Sequence, residues 1–383
     1  MKFLHISDLH IGKRVNGFSM IEDQKYIINN ILDIVDKEQV EGVLIAGDIY
    51  DKPVPSAEAV QLFDWFLTNL ADRKKTVFVV SGNHDSAERI AFGAKLMSSR
   101  GVYVSPVYDG TVSKIVLHDS YGEICVYLLP FIKPALVRHA LEDKEEQKQP
   151  ESYQEAVQIA VEHIEVDRSK RNILVAHQFV TGASRCESEE IVVGGLDNVD
   201  AEVFEAFDYV ALGHIHSPQS VTRRTVRYCG TPLKYSFSEA EQQKTVTILD
   251  LQEKGQIHID TIPLIAMRDM RKIRGTYQEV TALSFYQGSN TQDYIQITLT
   301  DEEDIPDGLQ KLRIIYPNLM RLEYDNHRTR QNRMVEPVTE IEQKTEFELF
   351  EAFYQWQNNQ PMSKEQADWV RSMIEDLKNH EKD

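Results

Sequence analysis

Cysteine is scarce in this chain: Cys125, Cys186 and Cys229 are the only three in 383 residues, and no two form a CxxC pair. An odd, scattered trio argues against a disulfide framework and against a cysteine-built zinc site, and suggests reduced thiols in a cytoplasm. Long apolar runs are missing too, so no membrane span is expected. The opening MKFLHISDLH carries charge and histidine within ten positions, which fits no signal peptide. There is no internal repeat and no long low-complexity tract. Positive charge is in short supply: 42 Lys and Arg stand against 61 Asp and Glu, a net of −19. Taken alone, that argues against a polyanionic partner, because nucleic-acid binders usually carry a basic footprint.

What is present reads as a globular α/β chain long enough for two domains, 42% hydrophobic and 27% charged. Five short apolar runs predict strands at Phe3–Ile6, Val43–Ala46, Thr76–Val80, Ile173–Ala176 and Tyr209–Leu212. Helical periodicity lies between the first four. In MIEDQKYIINNILDIVDK, for example, Ile21, Ile28, Ile31, Leu32 and Val35 share a face. VSKIVLH and EICVYLLP read as antiparallel neighbours, and EDKEEQKQPE (142–151) as a solvated helix end and turn. After Pro263 a β-α-β pattern over 272–326 suggests a small separate domain, with Ile295, Ile297 and Leu299 alternating along one strand. NHRTRQNRMVEPVTE reads as a linker. Two amphipathic helices then close the chain, near 344–357 and 363–378, the second opening with Ser363 and Gln366 at capping-box spacing.

Each of the five runs ends in polar residues: Asp8 and His10; Asp48; Asn83, His84 and Asp85; His177; His214 and His216. In α/β sheets ligands bind beyond the carboxyl ends of the strands, so these side chains are expected on one rim. Glycine precedes Asp48, Asn83 and His214, where the chain must turn sharply off the strand. Singly, each has a plainer reading: an aspartate as a turn or cap, a Gly-Asn pair as a turn, a histidine such as His5 as a hydrogen-bonded core residue. As a set, five of the twelve histidines with Asp8, Asp48 and Asn83 at successive strand ends is not a chance distribution.

Imidazole and carboxylate without thiolate suit Mn, Fe or Zn. Seven donors are too many for one ion with open positions and enough for two ions about 3.5–4 Å apart. Two divalent ions against the two carboxylates Asp8 and Asp48 leave a positive site, so an acidic protein can still attract phosphate locally. Such a pair lowers the pKa of water towards about 7 and stabilises charge on phosphorus oxygens. His84, next to Asn83, is the candidate general acid or transition-state stabiliser.

The set D-x-H, G-D, G-N-H-D, H and G-H-x-H resembles the calcineurin-type metallophosphoesterase family. That resemblance implies a four-layer α/β/β/α sandwich, with Asp8, His10 and His216 on one ion, Asn83, His177 and His214 on the other, and Asp48 bridging. FLHISDLHIGKRV, GVLIAGDIYDKPVPS, SGNHDSAERI, VAHQFVTGA, ALGHIHSPQ, YCGTPLKYSFSEAE and the tail from Leu349 onward are similar to the bacterial SbcD family of nuclease subunits. That family acts on DNA ends and hairpins with two Mn2+ ions, beside a long coiled-coil ATPase, as a homodimer within a heterotetramer. Relatives can carry histidine where Asp51 stands here; Asp51 is then expected to orient a ligand, with Asp85 in a similar supporting place.

The resemblance implies a nuclease domain at 1–265, a small α+β DNA-facing cap at 266–330, and a linker with partner-docking C-terminal helices at 331–383. Leu349, Phe350, Phe353 and Trp356, with Val370 and Ile374, are the expected docking residues; such apolar density on a terminal helix also suits helix-in-groove binding. Arg223, Arg224, Arg227, Arg271 and Lys272 are basic islands that could hold DNA phosphates. A small-molecule phosphodiesterase and a non-catalytic scaffold on the same fold stay open as alternatives.

Overall fold

The structure, a computed structural model, describes residues 1–141, 149–189, 198–327, 329, 346–358 and 362–380. Most of the acidic run at 142–151 and of the linker at 326–340 lies outside the described residues. Packing divides the chain into two compact units, Met1–Arg271 and Lys272–Asp383. Among the described residues no helix is long and apolar enough to cross a membrane.

The first unit begins with β1 (Lys2–Ile6), α1 (Ile21–Lys37), β2 (Gly42–Ala46), α2 (Ala57–Asp72), β3 (Thr76–Val80) and β4 (Val102–Val104). A hairpin of β5 (Ser113–Asp119) and β6 (Gly122–Leu129) follows, antiparallel as its sequence suggests. Then come α3 (Pro134–Ala140), α4 (Tyr153–Glu162), β7 (Arg171–His177) and β8 (Tyr209–Gly213). β9 (Gln219–Val221), β10 (Arg223–Tyr228), β11 (Thr245–Leu251) and β12 (Ile257–Pro263) complete it.

All five apolar runs are strands, shared between two six-stranded sheets. The first has the order β12-β11-β1-β2-β3-β4, with β1 to β4 parallel. The second has the order β9-β10-β8-β7-β6-β5, with β10, β8, β7 and β6 parallel. One core lies between the sheets: Phe3, Leu44 and Phe78 of the first meet Val126, Ile173 and Tyr209 of the second. On the outer face of the first sheet Leu4, Val43, Ile45 and Val77 are equally buried; α2 packs on β3 there and α1 on α2. The outer face of the second sheet buries Leu174, Ala176 and Val210 against Val137 of α3 and Val157 of α4. Strands covered on both faces need apolar side chains at every position, which is why the runs are continuous rather than alternating.

Helix boundaries follow local chemistry. The Ser56 hydroxyl accepts the Ala59 N–H at the start of α2, and Ser152 does the same for Glu155 at α4. His5 is the core residue expected. Its ring joins the two sheets, with Nδ1 3.0 Å from the Tyr209 hydroxyl and Nε2 3.2 Å from the Leu212 carbonyl, and burial lowers its pKa to about 3. At the opposite ends of the strands the buried Arg171 donates to Asp119 (3.0 and 2.5 Å) and to the Gly122 and Gln252 carbonyls. It ties the β5–β6 hairpin to the end of β11.

β13 (Met270–Gly275) spans the division at Arg271, and the second unit holds β14 (Tyr294–Leu299), α5 (Gly308–Arg313) and β15 (Leu319–Tyr324). β14 and β15 are parallel and α5 crosses between them, giving the β-α-β pattern read from the sequence. Ile295, Ile297 and Leu299 form one core with Val280, Leu312 and Tyr316. α6 (Glu346–Asn358) and α7 (Lys364–His380) pack on each other. The capping box at α7 is made: Ser363 N–H donates to Gln366 Oε1 (2.9 Å) and Gln366 N–H to Ser363 Oγ (3.2 Å).

Candidate metal centre

The carboxyl ends of β1, β2 and β3 in one sheet and of β7 and β8 in the other meet at one edge of the sandwich. Close backbone approach makes the meeting possible. A Cβ on Gly213 would overlap the Ala46 carbonyl oxygen, and one on Gly47, whose φ is +84°, would overlap the His177 ring. Four of the polar residues also carry left-handed backbone: Asp8 (φ 52°), His10 (44°), Asp48 (49°) and His214 (103°). Non-glycine residues there are strained, and such strain persists where the surrounding structure holds it in place. Here the Asp8 N–H donates to the Gly47 carbonyl and the His10 N–H to that of Asp48, both at 3.0 Å.

Seven side chains named from the sequence come together. Asn83 Oδ1 lies 3.0 Å from His177 Nε2 and 2.9 Å from His214 Nδ1. Asp48 Oδ2 lies 3.3 Å from His177 Nε2 and 3.8 Å from His10 Nε2. His10 Nε2 faces His216 Nε2 at 3.1 Å, and Asp8, His10 and His216 bring their donor atoms within 4.8 Å of one another. His84 Nε2 is 4.0 Å from Asp48 Oδ2, its ring edge-on to His10.

Neighbouring groups assign the tautomers. His177 Nδ1 donates to the Ala46 carbonyl at 2.9 Å, which leaves Nε2 bare towards the centre. His216 Nδ1 lies 2.6 Å from Ser188 Oγ, whose own hydrogen goes to Glu239 Oε1; Nδ1 is therefore the donor and Nε2 is bare. Burial holds His10 and His216 well below the usual histidine pKa and His214 near 3, so all three are neutral. Burial raises the Asp8 carboxyl to about 8, with Asp48 adding to the rise. Burial acts the same way on Asp48, but the surrounding histidines outweigh it and hold that group far below the carboxylate range. Burial disfavours charge on His177 as well, and the Asp48 carboxylate overrides it, raising His177 to about 9. Imidazole nitrogens, Asn83 Oδ1 and Asp48 Oδ2 thus crowd together, and the proton that His177 shares with Asp48 balances the carboxylate's charge. Such a space takes a proton or a cation, and this donor set fits divalent ions of the Mn, Fe and Zn type.

Asp51 and Asp85 sit behind these groups. The Asp51 carbonyl accepts from His84 Nδ1 at 3.1 Å, while its carboxylate takes Lys13 Nζ at 2.7 Å and lies 3.9 Å from His10 Nδ1. Its hold on His84 is through the backbone, which any residue can supply. Asp85 accepts the N–H groups of Ile49 (3.0 Å), Tyr50 (3.0 Å) and Gly82 (2.9 Å), clamping the loops after β2 and β3 together. Sequence reasoning assigned no place to Gln24, Ser188, Glu189, Tyr235, Glu239 or Lys244. Glu189 accepts the His216 N–H at 2.6 Å, Lys244 Nζ bonds Glu239 (2.6 Å) and the His216 carbonyl (2.9 Å), and the Tyr235 hydroxyl donates to the Leu9 carbonyl. Tyr235 and Glu239 lie in YCGTPLKYSFSEAE, a stretch singled out only by its likeness to the SbcD family.

Two of the arginines of TRRTVR, Arg223 and Arg224, lie away from this edge. Val226 of β10 pairs with Val210 at the start of parallel β8, so Arg223 and Arg224 lie at the far end of the sheet. Arg223 donates to the Phe204 and Phe207 carbonyls, Arg224 to that of Ile259, and Arg227 to Thr247 and Ser220. Arg268 is held by Glu22 and Asp23. On β13, Arg271 is half-buried and Lys272 exposed. In the tail Leu349, Phe350 and Phe353 are exposed, Ile374 is half-buried, and the Trp356 side chain lies outside the described atoms. Val370 is 7% exposed.

Over residues 1–218 the chain matches the calcineurin-like phosphoesterase family, and over 266–358 the type 5 capsule protein repressor C-terminal domain. It is 31% identical over 381 residues to the D subunit of the nuclease SbcCD of Staphylococcus epidermidis, covering 98% of each chain. Among solved structures it is similar to a dimetal phosphatase from Danio rerio, with 12% identity, 69% of this chain and 96% of that one covered, and a TM-score of 0.43. A calcineurin-like phosphoesterase of Bacillus subtilis gives 12%, 69% and 90%, with a TM-score of 0.33.

Proposed function

Since the chain belongs to the calcineurin-like phosphoesterase family and is a homologue of the D subunit of the SbcCD nuclease, we infer that it is the nuclease subunit of an SbcCD-type complex. As a metal-dependent phosphodiester hydrolase it cuts DNA at ends and hairpins, as a 3′–5′ exonuclease and an endonuclease, in repair, recombination and replication. The observation that best supports this is the convergence of six buried donor residues and the half-buried Asn83, with His84 beside them.

Asp8, His10 and His216 would hold one ion, Asn83, His177 and His214 the other, and Asp48 both; manganese is the metal we assign. Two such ions would supply an activated water and offset charge on the phosphoryl oxygens. The chain's own residues orient the rest. The Ala46 carbonyl and the Ser188–Glu239 pair fix the rings of His177 and His216, a support of the kind that tunes metal affinity. His84, with Nδ1 bound to the Asp51 carbonyl, keeps Nε2 turned to the cluster, where it serves as general acid or transition-state stabiliser for the leaving oxygen.

Residues 266–330 form the DNA-facing cap, with Arg271 and the exposed Lys272 as phosphate contacts. Leu349, Phe350 and Phe353 on α6, with the exposed Trp369 and Met373 on α7, dock on an SbcC-like coiled-coil ATPase. Two copies of each subunit make the heterotetramer. The test is a Mn2+-dependent assay on an end-labelled hairpin and on single strands, with and without the ATPase and ATP. Metal-dependent cleavage is expected; hydrolysis of small phosphodiesters with no DNA cleavage in any combination refutes the nuclease reading.

A further inference from the structure

On the His214 side of the centre the rim is aromatic and cationic. The Phe131 ring lies nearly parallel to that of His214 (6.4 Å between centroids, 15°) and edge-on to His177 (6.1 Å, 82°). Phe179 tilts towards His214 at 6.3 Å. The Arg185 guanidinium carbon lies 3.6 Å from the Phe179 centroid, and Lys133 Nζ 5.8 Å from that of Phe131. Both rings are held in place. The Phe131 N–H donates to the Ser81 carbonyl at 2.9 Å, just before Gly82 and Asn83, and Phe179 follows His177 by two residues, so it leaves the chain on the same side.

Neither ring can ligate an ion or move a proton, yet both stay partly exposed beside buried polar groups. Next to a scissile phosphate stands a sugar and a base, which offers a flat π-face to aromatic rings and flanking phosphates to cations. We propose that Phe131 and Phe179 seat the base next to the scissile phosphate, with Arg185 and Lys133 beside its flanking phosphate. Every base has such a face, so the seat positions the strand without reading its sequence. This rests on the nuclease reading and adds what holds the strand in register.

The test uses end-labelled single strands with Mn2+, intact or carrying one tetrahydrofuran abasic residue. The wild type cuts at the abasic residue roughly 5- to 150-fold more slowly in kcat/KM than at the same position with a base, the range that base–aromatic stacking supports. Phe131→Ala and Phe179→Ala cut both at the slow rate, and Phe179→Trp restores the preference. If the rings only pack His214, the alanine variants slow both substrates in proportion and keep the wild-type ratio, which overturns the proposal. A second readout needs no cleavage: a strand containing 2-aminopurine, bound in Ca2+, is quenched by the wild type and not by Phe179→Ala of unchanged metal content. Absence of quenching in the wild type, or undiminished quenching in Phe179→Ala, also overturns it. A wild type that quenches 2-aminopurine but cuts no strand sinks the nuclease reading and leaves the base seat standing.

Discussion

At the residue scale the centre is an arrangement of lone pairs, and each histidine has a separate place in it. His214 Nδ1 meets Asn83 Oδ1, while His216 Nε2 meets His10 Nε2. His214→Ala and His216→Ala are therefore expected to lose different ions, each retaining about one of two in metal analysis. Loss of both ions from either variant would mean that the two sets are not separable. His84 Nε2 lies 4.0 Å from Asp48 Oδ2, and the ring is turned inward by the Asp51 carbonyl. His84→Ala should lower kcat about 10²- to 10⁴-fold, the usual worth of a positioned proton donor, with bound metal unchanged. Metal loss of the same size would make it a ligand instead.

At the scale of elements, loops off two strands are joined by a single carboxylate. Asp85 takes three backbone N–H groups, two from the segment after Asp48 and one from Gly82. Asp85→Ala leaves those donors without their charged acceptor and is expected to cost about 2–3 kcal/mol, read in urea unfolding. It should also lower activity, because Asp48 and Asn83 ride on these loops. Full activity with lowered stability would show that the loops hold their positions without the clamp. The tail helices pack on each other but leave Leu349, Phe350 and Phe353 exposed. Deleting residues 340–383 should abolish co-purification with the ATPase and leave metal content intact; retained co-purification removes the docking assignment.

For the molecule as a whole, two sheets must stay in register at the edge that carries the site, and Arg171 fastens them at the other. Its guanidinium holds the Asp119 carboxyl well below the usual carboxylate range through their hydrogen bonds. A carboxyl with a depressed folded pKa stabilises the fold above its unfolded value near 4, and that stability is lost as pH falls through the folded one. Arg171→Met leaves Asp119 without its main partner and should cost about 3–5 kcal/mol. The wild-type stability drop between pH 4 and 2 should shrink in the variant. An unchanged acid profile would place that sensitivity elsewhere.

Residue chemistry and periodicity were local properties, and they were readable. Continuous apolar runs marked strands buried on both faces, and the polar residue after each run marked the rim. Which strands share a sheet was not readable, because β1 to β3 and β7 to β8 look alike in sequence and are separated only by long-range pairing. The same limit applies to TRRTVR: its charge was visible, but only the parallel pairing of β10 with β8 puts Arg223 and Arg224 at the end of the strands away from the site. Glu189, Glu239 and Lys244 were equally hidden, since they come near His216 only when distant segments fold together. By itself the sequence determined the donor types, their strand ends and the family. Only the tertiary structure decided which nitrogen is bare, which carboxylate is shielded and which cations are already occupied, because tautomer, burial and hydrogen-bond partner depend on neighbours far along the chain.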